Sequence, residues 1–169
     1  MYKKYFLFLI TISMLFFSCM KKASTCAYED QNVAATTAEI AYLQNYITTS
    51  SITNVTQHPC GVFYTVENAG SGETLNLCNT ITVKYGAFVL GAASPFDSFT
   101  DSSGIPFILG RLITGIQKTL PTIRSGGQIT MYIPPSLAYG SAQQQDQNGS
   151  IILPSNSYLK FEMTILSVQ

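Results

Sequence analysis

Charge is scarce in this sequence. Only 11% of its 169 residues are Asp, Glu, Lys or Arg, against roughly 25% in an average soluble domain. The nine basic residues are balanced by nine acidic ones. With zero net charge and no basic stripe, the chain cannot neutralise a row of phosphates, which excludes nucleic-acid binding. Histidine is represented by His58 alone, in the polar stretch TQHPCG, and none of the four cysteines stands in CxxC spacing. Neither a zinc site nor a thioredoxin-like motif is therefore supported, and no metal or cofactor is expected. There is no internal repeat. What is present is a 46% hydrophobic chain, too apolar for a disordered tail, whose solubility rests on Ser, Thr, Asn and Gln.

The apolar residues concentrate first at the start. MYKKYFLFLITISMLFFSCMKK opens with Lys3 and Lys4, runs apolar from Tyr5 to Phe17 and reaches the small Ser18 before Cys19. This is the layout of a secretory signal peptide and is shorter than a membrane span. LFFSC resembles a relaxed bacterial lipobox. The resemblance implies that residues 1–18 are removed, that Cys19 becomes the lipidated first residue, and that the product is an exported lipoprotein held to a membrane at a periplasmic or cell-surface face. A polar tether over 19–35 would follow. In an oxidising compartment Cys26, Cys60 and Cys78 should form one disulfide and leave one free thiol, and all three pairings are open.

Helical periodicity begins at TTAEIAYLQNYI. Ile40, Leu43 and Ile47 recur on one face, and Thr36 with Glu39 fits a capping box, so the spacing predicts a short amphipathic helix over 37–48 that caps the main domain. After a linker to residue 60 the pattern changes to period two. VFYTVEN and TITVKYGAFVL read as strands, followed by PFDSF, a polar loop and the short strand IPFILG. RLITGIQKTLPTI places Leu112, Ile113, Ile116 and Leu120 at helical spacing up to Pro121. GGQITMYIPP is a strand that Pro134 and Pro135 must end. SAQQQDQNGS reads as a flexible polar loop, and SYLKFEMTILSVQ as a closing strand. Strands, one helix and strands again, without βαβ alternation, predict an α+β domain with a mostly antiparallel sheet over a helix.

In order and spacing, VKYGAFVL, FDS, PFILG, LITGIQKTL, GGQITMYIPPSLAYG and ILPSNSYLKFEMTIL resemble the FKBP-type peptidyl-prolyl cis-trans isomerases. The resemblance covers residues 61–169, with the helix and linker at 36–60 as an extension. It implies a twisted antiparallel sheet wrapped around a short helix, with an apolar pocket between them. It also implies an isomerase of X–Pro bonds acting on proline-containing polypeptides; with the signal segment, its substrates are expected to be exported proteins, and the chain is expected to be monomeric. Carried over by motif, Tyr85, Asp97 and Tyr139 are the catalytic candidates. Phe96, Phe107, Leu112, Ile113, Ile116 and Phe161 are the substrate-binding ones, Ile113 through its backbone N–H. Two positions depart from the family. Ile116 stands where a tryptophan often floors the pocket, and Ile105 where an aromatic is usual, so the pocket should be deeper and less aromatic. These departures leave open a peptide-binding or chaperone module of low turnover.

Overall fold

The computed structural model describes residues 26–169. The signal segment 1–18, Cys19 and the first part of the expected tether therefore lie outside the described residues. The first helix, α1 (Thr37–Thr49), starts where its capping box predicts. Thr36 accepts from the Glu39 N–H at 3.2 Å, and Glu39 accepts in return from the Thr36 N–H at 2.8 Å.

Nine strands follow. Strand β1 is Thr56–Gln57, β2 Phe63–Asn68, β3 Thr80–Val89, β4 Asp97–Phe99, β5 Ile105–Ile108 and β6 Gln128–Ile133. The last three are β7 (Gln144–Gln145), β8 (Ile151–Leu153) and β9 (Leu159–Val168). Seven of them form one antiparallel sheet in the order β1-β2-β6-β9-β3-β4, with β5 also on β3. The long β3 pairs along one side with β9. On its other side it serves β5 with Thr80–Val83 and β4 with Tyr85–Ala87. Tyr85 therefore lies at the fork where two short edge strands diverge.

Period-two alternation sends Ile129, Met131 and Ile133 of β6 and Leu159, Phe161, Met163 and Ile165 of β9 to one face, where all are buried. They pack on Leu109, Ile116, Leu120 and Ile123. The helix beneath them, α2 (Thr114–Thr119), is shorter than the spacing predicted. Leu112 precedes it and Ile113 is its extended N-cap, with φ −62° and ψ 149°. Leu120 belongs to a 3-10 turn containing Pro121. The apolar spacing persists across three conformations because each presents the same side to the sheet, while Ile113 offers no capping oxygen and Pro121 cannot continue an α-helical ladder.

The opposite face of the sheet is also covered at one end. Leu43 and Ile47 of α1 are buried against Phe63 of β2 and Tyr132 of β6, and the Tyr42 ring stacks on Tyr158 with centroids 4.1 Å apart. The expected polar loop after Tyr139 is a small hairpin, β7 with β8, rather than an unstructured segment. Asp146 accepts from the N–H groups of Asn148 and Ser150 and closes its turn.

From residue 26 onward the N-terminal segment lies along the domain. Cys26 is bonded to Cys78, which settles the pairing, and Cys60 is the buried free thiol. Asp30 pairs with Lys118. Tyr28 rests on Gly110, where a β-carbon would collide with its ring. His58 is half-buried, with Nδ1 3.0 Å from the Cys60 sulfur.

Candidate active site

Between the sheet and α2 lies a cavity of about 250 Å³ lined by Tyr85, Asp97, Phe107, Arg111, Leu112, Ile113, Ile116, Tyr139, Phe161 and Met163. Its floor is set by strand register. Tyr85 of β3 is paired with Met163 of β9, and Ala87 with Phe161, so Met163 and Phe161 stand on the face that Tyr85 shares. Ile116, buried on the first turns of α2, closes the bottom. A larger hollow of about 370 Å³ occupies the other face of the sheet, among Glu67, Lys84, Thr130, Glu162 and Thr164. It is more open than the first, and most of the residues around it are polar or charged.

Asp97 opens β4 opposite Ala87, diagonal to Tyr85, which brings the two side chains to the same side. The Tyr85 hydroxyl donates to Asp97 Oδ2 at 2.7 Å. Burial, and then the Asp97 carboxylate, push the Tyr85 hydroxyl far above its ordinary value, so it remains a donor. The Phe107 ring meets Tyr85 edge-on, with centroids 6.0 Å apart.

Pro134 and Pro135 end β6 as expected, and a 3-10 turn, Pro135–Leu137, turns the chain toward Tyr139. Gly140 follows at φ +58°, a conformation that favours glycine, and its N–H donates to Pro135 O at 2.9 Å. Tyr139 is thereby held at the rim, 37% exposed. Its hydroxyl makes no hydrogen bond among the described residues, and burial together with the Asp97 charge raises its pKa. Nor does any described residue accept from the Ile113 N–H, because an N-cap amide lies outside the helical ladder. Two donors without internal partners thus border one apolar cavity.

Eight sequence-derived residues line this cavity: Tyr85, Asp97, Phe107, Leu112, Ile113, Ile116, Tyr139 and Phe161. Phe96 does not. It is half-buried against the main core, since neighbouring residues of an extended segment project to opposite sides and Asp97 takes the cavity side. Ile105 also packs on the core rather than lining the cavity. Sequence reasoning missed Met163 and Arg111. Met163 was legible, two residues beyond Phe161 on the same strand face. Arg111 had no signal beyond its place beside Leu112.

The sequence model of the family described as "FKBP-type peptidyl-prolyl cis-trans isomerase" matches residues 72–166. The chain is 32% identical over 127 residues to the FKBP-type peptidyl-prolyl cis-trans isomerase FkpA of Buchnera aphidicola subsp. Acyrthosiphon pisum, covering 75% of this chain and 49% of that protein. It is 34% identical over 109 residues to FkpA of Escherichia coli strain K12, covering 64% of this chain and 38% of the relative. The chain thus spans about half or less of the length of these two relatives. The crystal structure of FkpA from Escherichia coli superposes with a TM-score of 0.61 at 28% identity, covering 78% of this chain and 60% of that one. With the matched region spanning more than half of the sequence, and with the fold and the cavity agreeing, the chain belongs to the FKBP-type peptidyl-prolyl cis-trans isomerase family.

Proposed function

We propose that this protein catalyses cis-trans isomerisation of X–Pro bonds in proline-containing polypeptides. The observation that carries this reading is a pair of donors without partners among the described residues, the Ile113 N–H and the Tyr139 hydroxyl, beside an apolar cavity closed by Ile116 and Phe161.

Rotation about the amide costs roughly 20 kcal/mol because the planar bond loses its resonance when twisted. No nucleophile is needed. The planar amide is the more charge-separated form, so a site that excludes water raises the ground state relative to the twisted one. Phe107, Ile116, Phe161 and Met163 supply that environment around the proline ring. The Tyr139 hydroxyl donates to the carbonyl of the rotating bond, and the Ile113 N–H holds the next carbonyl, that of the proline itself. Asp97 fixes Tyr85 as a wall through their 2.7 Å hydrogen bond. The direct test is the relaxation rate of a short X–Pro peptide with and without purified protein. An unchanged rate would overturn the reading.

A second reading, peptide binding with little turnover, is favoured by Ile116 in the floor position. Tight binding of proline peptides without acceleration is its signature.

The same proposal makes the protein an exported bacterial lipoprotein attached through Cys19, with its clients among exported proteins. The basic-then-apolar start and the Cys26–Cys78 disulfide, a bond suited to an oxidising compartment, support it. Fatty-acid labelling that survives in Cys19→Ala would refute the anchor. The protein acts as a monomer on this reading, because Leu43 and Ile47, the apolar face of α1, are already covered by its own sheet.

A further inference from the structure

Arg111 and Asp97 are the two charged residues lining the cavity, and they are not equivalent. Asp97 is engaged by the Tyr85 hydroxyl. Arg111 is exposed at the rim, with its Nε–H donated to the Tyr28 hydroxyl at 2.8 Å. Among the described residues its two terminal nitrogens have no acceptor, and no carboxylate forms an ion pair with it. A residue lining the cavity therefore keeps a guanidinium end unpaired among the described residues.

That cation is braced. Tyr28 sits between two clamps, the Cys26–Cys78 disulfide on one side and the Asp30–Lys118 ion pair on the other, and its ring lies on Gly110, the residue before Arg111. A guanidinium whose Nε is already fixed loses less freedom when it pairs than a free surface arginine would. Its remaining fork, Nη1 and Nη2, matches a carboxylate end-on.

We propose that Arg111 is a specificity-determining residue that selects peptides with an acidic side chain immediately after the proline. The side of the proline follows from the chain direction, and the inference rests on the isomerase reading. The Tyr139 hydroxyl holds the carbonyl before the proline and the Ile113 N–H the carbonyl of the proline itself, so the residue after the proline begins at Ile113, two positions along the chain from Arg111. An exposed ion pair changes affinity by about two- to fivefold, so attraction of Glu and repulsion of Lys at that position together give about a tenfold difference at low salt.

The test uses three short peptides, Ala-Pro-Glu, Ala-Pro-Gln and Ala-Pro-Lys in a common frame, each measured for kcat/KM and for equilibrium binding. The expected result is a Glu-over-Lys ratio of about ten at low ionic strength that shrinks in about 0.5 M salt. Arg111→Gln brings the ratio near one. Tyr28→Phe, which keeps the charge and removes the brace, lowers it part of the way. Arg124→Gln, a cation outside the cavity, leaves the ratio in place. A ratio of one in the unsubstituted protein, or a Glu preference that survives Arg111→Gln, overturns the proposal. Failure to accelerate Ala-Pro-Gln counts against the isomerase reading instead, and in that case the binding ratio of the Glu and Lys peptides still decides the role of Arg111.

Discussion

Glu39 joins two parts of the molecule that are distant in sequence. Besides closing the capping box of α1, its carboxylate accepts from the Ser136 N–H at 2.9 Å and from the Ser136 hydroxyl at 2.8 Å. Ser136 lies in the turn that leads to Tyr139. Replacing Glu39 by alanine removes the return bond of the box, worth about 0.5–1 kcal/mol, and two charge-assisted bonds to Ser136. The carboxylate is half-buried, so each of those is discounted to about 1 kcal/mol. The expected loss at pH 7 is about 2–3 kcal/mol for Glu39→Ala and about 1 kcal/mol for Glu39→Gln, which keeps one acceptor. The charge dependence has a definite sign. Burial alone would raise this carboxyl, but the hydrogen bonds from Thr36 and Ser136 outweigh it and leave the pKa below the ordinary 4.5. A folded pKa below the unfolded one contributes stability that is complete above the unfolded value and is lost as pH falls through the folded one. Urea unfolding of the unsubstituted protein and Glu39→Gln should therefore differ at pH 7 and converge below about pH 3. A difference that does not change with pH, or an alanine variant within about 0.5 kcal/mol of the original at pH 7, would refute the reasoning. Because Ser136 positions the turn of Tyr139, Glu39→Ala should also lower kcat/KM in the still-folded protein.

In the cavity, Tyr139→Phe removes one neutral hydrogen bond and should cost about fivefold or less in kcat/KM. Asp97→Val, which frees Tyr85, and Phe107→Ala, which opens the wall to water, should each cost more than about tenfold; equal rates in all three would show the cavity is not the site. The Cys26–Cys78 bond spans a sequence separation of 52, so reduction or Cys78→Ser should lower the unfolding free energy by about 2–4 kcal/mol, read from denaturant midpoints. Cys60 is buried and its thiol pKa is raised by burial. Disulfide-exchange reagents should label it slowly in the native protein and rapidly in denaturant, and fast native labelling would contradict its place in the core.

The two scales of legibility have a physical origin. Features that depend on neighbours within a turn or on alternation along a strand were legible in the residues alone. The Thr36–Glu39 box started α1 where predicted, Pro134 ended β6, and the faces of β3 and β9 followed from period two. Family motifs located eight of the cavity residues. Local rules were weaker where several conformations satisfy the same spacing. Leu112, Ile113, Ile116 and Leu120 present one apolar side to the sheet although α2 is only six residues long. Phe96 could not be separated from Asp97 by motif alone, since adjacency in sequence does not say which of two opposed side chains enters a cavity. Tertiary structure alone decided the long-range partners. Glu39 reaches Ser136 across 97 residues, Tyr28 reaches Arg111 across 83, and Cys26 chooses Cys78 over Cys60. Those contacts arise because strand order brings remote segments together, and no periodicity within either segment encodes the meeting.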